Sequence, residues 1–96
     1  MRPSELLASH RNEICRMVAQ NHVCNPRVFG SVLHGEDTED SDLDLLVEPT
    51  SETTLFDIGA IQCELKKLLG ITVDVLTPGA LPDSFRELVM KEAVPV

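Results

Sequence analysis

The sequence predicts an α/β (α+β) domain, a small mixed sheet with helices packed on it. Three observations predict it. Apolar residues alternate with polar ones along Asp42 to Glu48 and crowd together from Ile71 to Leu76, as strands require. They recur at three- and four-residue spacing in three other stretches, as amphipathic helices require. The 96 residues contain no internal repeat, low-complexity tract or linker, so residues 1–96 are expected to form a single domain around one core.

The elements follow in order. Ser4 is a good helix-capping residue, and Glu5 suits the positive end of a helix. Leu7, Ile14, Met17 and Val18, with Cys15 beside them, then place a helix over about residues 4–21. Asn25-Pro26 ends anything helical. Arg27 to Phe29 reads as a short strand broken by Gly30-Ser31. Ser31 to His34 predicts one helical turn, and Gly35 a reversal. An acidic, solvated loop is expected from Glu36 to Ser41.

Asp42 to Glu48 is the second strand, with Leu43, Leu45 and Val47 on one face and Asp42, Asp44 and Leu46 on the other. Pro49 is expected to stop it. Thr53 or Thr54 caps a helix carrying Ile58, Ile61, Leu65, Leu68 and Leu69, which Gly70 closes. Ile71 to Leu76 is a third strand, with Asp74 at its centre. Thr77-Pro78-Gly79 turns the chain. Pro82-Asp83 starts a last helix whose apolar stripe is Phe85, Leu88 and Val89.

Composition narrows the function. Eight basic residues against sixteen acidic ones leave a net charge of −8. Proteins that hold nucleic acid or anionic membranes neutralise phosphate with Lys and Arg, so neither partner is expected. A nucleotide held through metal ions, or a basic protein partner, stays compatible with that charge. With three Phe and no Trp or Tyr there is no aromatic platform for stacked bases. Cys15, Cys24 and Cys63 are odd in number and form no CxxC, so they are expected as reduced, mostly buried thiols. No signal peptide is visible and no apolar run reaches a membrane-spanning length, so a cytoplasmic protein is expected. His10 and His22 read as surface residues.

The chemistry lies in three aspartates and a glycine. From Val28 to Glu64 there is no Lys or Arg. Strand periodicity puts the carboxylates of Asp42 and Asp44 on one face. Adjacent carboxylates in a poor dielectric repel unless a cation compensates, and oxygen donors suit Mg²⁺ or Mn²⁺. Asp74 lies between Val73 and Val75 in a strand that otherwise reads as core. If the two strands are neighbours, Asp74 joins the same face, and three carboxylates there can hold two metals. Gly30 lets the backbone approach a ligand closely, and the N–H groups after it can cradle an anion with the Ser31 hydroxyl.

Gly30-Ser31, ten residues, then Asp42-Leu43-Asp44, with Asp74 in Val73-Asp74-Val75-Leu76, resembles the nucleotidyltransferase fold of the DNA polymerase β superfamily. The runs Phe29 to Gly35 and Ser41 to Val47 are similar to those of the minimal nucleotidyltransferases, antitoxins of HEPN/MNT toxin–antitoxin pairs. The resemblance spans nearly the whole chain. It implies metal-dependent transfer of AMP from ATP onto a tyrosine hydroxyl of a cognate HEPN ribonuclease, which silences that toxin. It also implies roles by position: Gly30 and Ser31 contact the triphosphate, Asp42 and Asp44 hold two Mg²⁺, and Asp74 shares one ion and accepts the acceptor's proton. Such relatives commonly carry Arg where this chain has His34, which is expected either to grip phosphate more weakly than Arg or to be an exposed loop residue. Lys66, Lys67, Arg86 and Lys91 are expected to be mostly solvated, and none is assigned to ATP.

Two other functions compete. One is a non-catalytic antitoxin that masks its toxin by occlusion, which the −8 charge suits. The other is an enzyme that nucleotidylates a small molecule. Enzymes of that kind usually add a helical domain to form the acceptor pocket, and 96 residues leave no room for one.

Overall fold

The computed structural model describes residues 1–96. Its elements are α1 (Pro3–Ser9), α2 (Arg11–Gln20), β1 (Val23–Phe29), β2 (Leu43–Pro49), α3 (Leu55–Leu69), β3 (Val73–Leu76), a 3-10 turn (Pro78–Ala80), α4 (Asp83–Glu92) and β4 (Val94–Pro95). The sheet runs β3-β2-β1-β4. β2 and β3 are parallel, with α3 as their crossover, while β1 is antiparallel to both β2 and β4. The sheet is mixed, as the sequence predicts.

Alternation along the strands sorts the residues onto two faces. Val28, Leu43, Leu45, Val47, Val73 and Val75 form one face and pack against Ile14 and Val18 of α2 and Ile61, Leu65 and Leu69 of α3. Each fully buried Leu or Ile there contributes about 1.5–3 kcal/mol relative to exposure. The opposite face has a smaller apolar cluster of Phe29, Leu46 and Leu81, with Val89 of α4 and Ala93 just after it packed on it. Leu46 is buried on the face where periodicity put it, opposite Leu43, Leu45 and Val47.

Helix signals in the sequence hold best for α3. Thr54 is its N-cap, in a reciprocal capping box with Asp57, and Gly70 closes it at φ +72°. The first helix differs from expectation. It is two helices, α1 and α2, broken at His10, whose backbone is non-helical (φ −118°, ψ 20°). Leu7 of α1 and Ile14 of α2 both reach the core. α1 starts at Pro3, so Ser4 lies inside it, and its backbone N–H donates to Asp37 at 2.9 Å.

That bond corrects the solvated reading of the acidic loop at Asp37 alone; Glu36, Glu39 and Asp40 are exposed, as expected. Asp37 is only 5% exposed. The Ser4 N–H holds its carboxyl below the usual aspartate range. β1 begins at Val23, four residues before the expected start, because the backbone passes Asn25-Pro26 with an irregularity between Cys24 and Arg27. Pro49 does not precede the end of β2; it is its last residue, opposite Val23. β3 starts at Val73, two residues late.

Two further expectations fail. Cys24 and Cys63 are exposed, and only Cys15 is partly buried. α4 has no buried residue: Phe85 and Leu88 face outward, and only Val89 of the expected stripe packs inward. The chain after α4 returns as β4, pairing Val94 with Val28, a strand two residues long that no periodicity could reveal. No helix is long and apolar enough to cross a membrane.

Candidate functional site

The site lies on the thinly covered face, at the end where β1 stops and β2 begins. Register builds it. Asp44 pairs with Phe29 of β1 on one side and with Asp74 of β3 on the other. Leu43, Leu45, Val73 and Val75 turn toward the helices, so Asp44 and Asp74 turn together toward the other face. Asp42 lies just before β2 and is exposed, not on the strand as the sequence reading has it. It contributes its charge from the rim.

These carboxylates are crowded. Burial, then the neighbouring charges of Asp74 and Asp42, push the Asp44 carboxyl up to about 6. None of the three aspartates takes part in any ion pair of the fold. Their oxygens and uncompensated charge suit a hard divalent cation. They do not close a ready cage: no three His, Cys, Asp or Glu side chains converge on one point.

Gly30 explains the close approach of β1. It takes φ +76°, and a Cβ there would strike the Asp44 carboxylate. The chain then makes a turn tied by the His34 N–H to the Gly30 carbonyl (3.2 Å) and the Glu36 N–H to the Ser31 carbonyl (2.9 Å). The backbone N–H groups of Ser31, Val32 and Leu33 make no hydrogen bond within the chain, and neither does the Ser31 hydroxyl. A run of free donors beside three carboxylates can take an anion bridged to a cation.

His34 is turned elsewhere. Its Nε2 lies 3.3 Å from Oε2 of Glu92, at the end of α4. Arg86, one of the four cations weighed above, is structural: it donates to the carbonyls of Pro78 (2.8 Å) and Leu81 (2.7 Å) and pairs with Asp83. Lys66, Lys67 and Lys91 are exposed, as expected.

Sequence reasoning missed two supporting residues. Gln62 of α3 accepts from the Val75 N–H at 2.9 Å, on the free edge of β3 beside Asp74. A polar residue near the buried stripe of α3 was the only signal. Arg27 is largely buried on the carboxylate face, two residues along from Phe29, and pairs with Glu48 at 3.0 Å. Its position on a strand was legible, but its partner was not.

Comparison with known proteins follows the same geometry. The family model described as nucleotidyltransferase domain matches residues 7–96. A protein of Methanocaldococcus jannaschii assigned as a protein adenylyltransferase is 33% identical over 90% of this chain and 92% of its own length. Protein adenylyltransferase MntA of Thermococcus cleftensis is 31% identical over 93% of this chain and 87% of its own. A solved structure described as a minimal nucleotidyltransferase superposes with a TM-score of 0.86 at 40% identity, covering 97% of this chain and 95% of that one. A toxin–antitoxin complex with AMP-PNP shares the fold, with a TM-score of 0.73 at 19% identity over 88% of this chain and 69% of its own.

Proposed function

The chain belongs to the nucleotidyltransferase domain family, and on that premise we propose that it is a protein adenylyltransferase acting as an antitoxin. It takes AMP from ATP and places it on a tyrosine hydroxyl of a HEPN ribonuclease toxin. The observation that carries this is the pairing of Asp44 with Asp74 on adjacent parallel strands, with the Gly30 turn and its free N–H groups against them. The relatives named as protein adenylyltransferases, and the toxin–antitoxin complex holding a nucleotide analogue, support a protein acceptor and a toxin partner.

The residues divide the work. The N–H groups of Ser31, Val32 and Leu33, with the Ser31 hydroxyl, bind the triphosphate, and Gly30 keeps the backbone close enough to Asp44 for both to contact one ligand. Asp42, Asp44 and Asp74 would hold two Mg²⁺, for which their hard oxygen donors and uncompensated charge are suited. When bound, the ions supply charge neutralisation on the phosphates and on the departing pyrophosphate. The acceptor hydroxyl forms a bond to the α-phosphorus as the bond to pyrophosphate breaks. Asp74 accepts the hydroxyl proton. The open carboxylate face leaves room for that hydroxyl to arrive on another protein. His34 is a second triphosphate contact once it leaves Glu92.

The test is label transfer. The protein is mixed with Mg²⁺, ATP labelled on the α-phosphate and the purified toxin partner. We expect label on the toxin, reduced at least about 100-fold by Asp42→Ala with Asp44→Ala. Asp74→Asn should lower turnover with little change in ATP binding. His34→Ala should raise KM for ATP with kcat nearly unchanged. A stable complex without label would make the protein an occluding antitoxin instead.

A further inference from the structure

α3 presents two ridges. One is buried in the core. The other points away from the sheet and carries Phe56, Gly59, Ala60, Cys63, Lys66 and Lys67 at positions that share one helical face. Phe56 is 88% exposed, although an aromatic ring is the most favourable side chain to bury. Gly59 takes no positive φ, and a Cβ there would meet nothing, so no contact within the chain calls for glycine in the middle of this helix. Lys66, Lys67 and Glu52 enter none of the ion pairs of the fold.

We propose that this ridge is where two copies of the chain pair, α3 against α3, antiparallel about a two-fold axis. The argument is complementarity of the ridge with itself. A two-fold axis midway between Phe56 and Lys67 sets each Phe56 ring under the lysines of the other copy, a cation–π contact made twice. The same axis brings Glu52, in the turn leading into α3, toward the other copy's lysine pair. The small residues Gly59 and Ala60 then face Cys63, so the helix axes can approach to about 8 Å. Antiparallel packing also sets the positive end of each helix dipole beside the negative end of the other. The ridge lies across the sheet from Asp44 and Asp74, so both active faces and both α4 helices stay open.

A 15-residue helix pairing with its copy is a small interface. The dimer should therefore be concentration-dependent. Sedimentation should show a mass rising from one chain toward two as concentration increases. Phe56→Ser, and separately Lys66→Glu with Lys67→Glu, should each hold the mass at one chain. Thermal melts of these surface variants establish that they fold. With Cys15→Ser and Cys24→Ser in place, a short bismaleimide should link Cys63 to Cys63, and Phe56→Ser should remove most of that linkage. A mass of one chain at the highest soluble concentration would overturn the proposal. So would Cys63 linkage indifferent to Phe56, or protection of Cys63 that appears only when the toxin is added.

Discussion

The two faces of the sheet divide the molecule into a part that holds it together and a part that bears the candidate site. The helix-covered face packs fourteen buried apolar residues in one cluster, from Leu7 to Val75. The other has a cluster of three, under a helix with no buried residue. The same strands supply both, because alternate side chains point opposite ways. β2 shows it most plainly: Leu43, Leu45 and Val47 serve the core, while Asp44, between them, faces the candidate site. A sheet can therefore carry a costly group on one face if the other supplies the stability. Asp44 is such a group, desolvated and beside two like charges.

Predictions that break or sharpen this comparison run from large to small. Leu65→Ala, on the packed face, should lower unfolding free energy by about 2–5 kcal/mol in chemical denaturation. Leu88→Ala, 55% exposed on α4, should change it by less than about 0.5 kcal/mol. Similar losses would mean that α4 is structurally equal to α3.

Gly30→Ala should separate function from fold. The added Cβ displaces the Asp44 carboxylate, so turnover should fall by about 100-fold. The core on the far side is untouched, so the melting temperature should drop far less than in Leu65→Ala. Full activity in Gly30→Ala would remove this close approach from the mechanism.

Asp44 also has a pH signature. Its proton is held more tightly in the folded state than in the unfolded one, because its carboxyl is pushed up to about 6. Stability from this group is therefore present at low pH and lost as pH rises through about 6. In metal-free buffer, Asp44→Asn should stabilise the protein more at about pH 8 than at about pH 4.5. Equal effects at both would show that Asp44 carries no such strain. Mg²⁺ should diminish the difference by compensating the charge.

The smallest effect belongs to the loop. Asp37→Ala removes the acceptor for the Ser4 N–H at the start of α1 and should cost about 1 kcal/mol. Its carboxyl is held low, so its contribution is present at neutral pH and is lost on acidification below the ordinary aspartate range. Activity should stay unchanged, since Asp37 lies outside the site.

Much of the fold was legible because local chemistry and tertiary need agree in it. Thr54 and Gly70 bracket α3 in sequence as they do in space. Asp42, Asp44, Asp74 and Gly30 were legible as a candidate site because their spacing is itself a pattern, and the register of β2 with β3 places Asp44 beside Asp74. His34, turned to Glu92, was not, since its contact is formed with a residue from the far end of the chain. Asp37 was read as solvated because nothing near it in sequence accounts for burial; its partner is Ser4. The exposed ridge of α3 and the outward face of α4 were hidden for a different reason. An apolar residue at helical spacing signals burial, but it does not say against what.

The sequence by itself determined α3 with its caps, the existence of β2 and β3, the facing of Leu43, Leu45 and Val47 away from Asp44, and the identity of the carboxylates. Those follow from backbone periodicity and from what each side chain can do, which are local properties. Only the tertiary structure decided that Asp74 stands beside Asp44 in register, that Gly30 closes on that carboxylate, and that the first helix breaks at His10. Only the tertiary structure decided, too, which thiols and which aromatic ring reach the surface. These depend on which strands become neighbours and which helices cover them, and that is settled by packing the whole core at once.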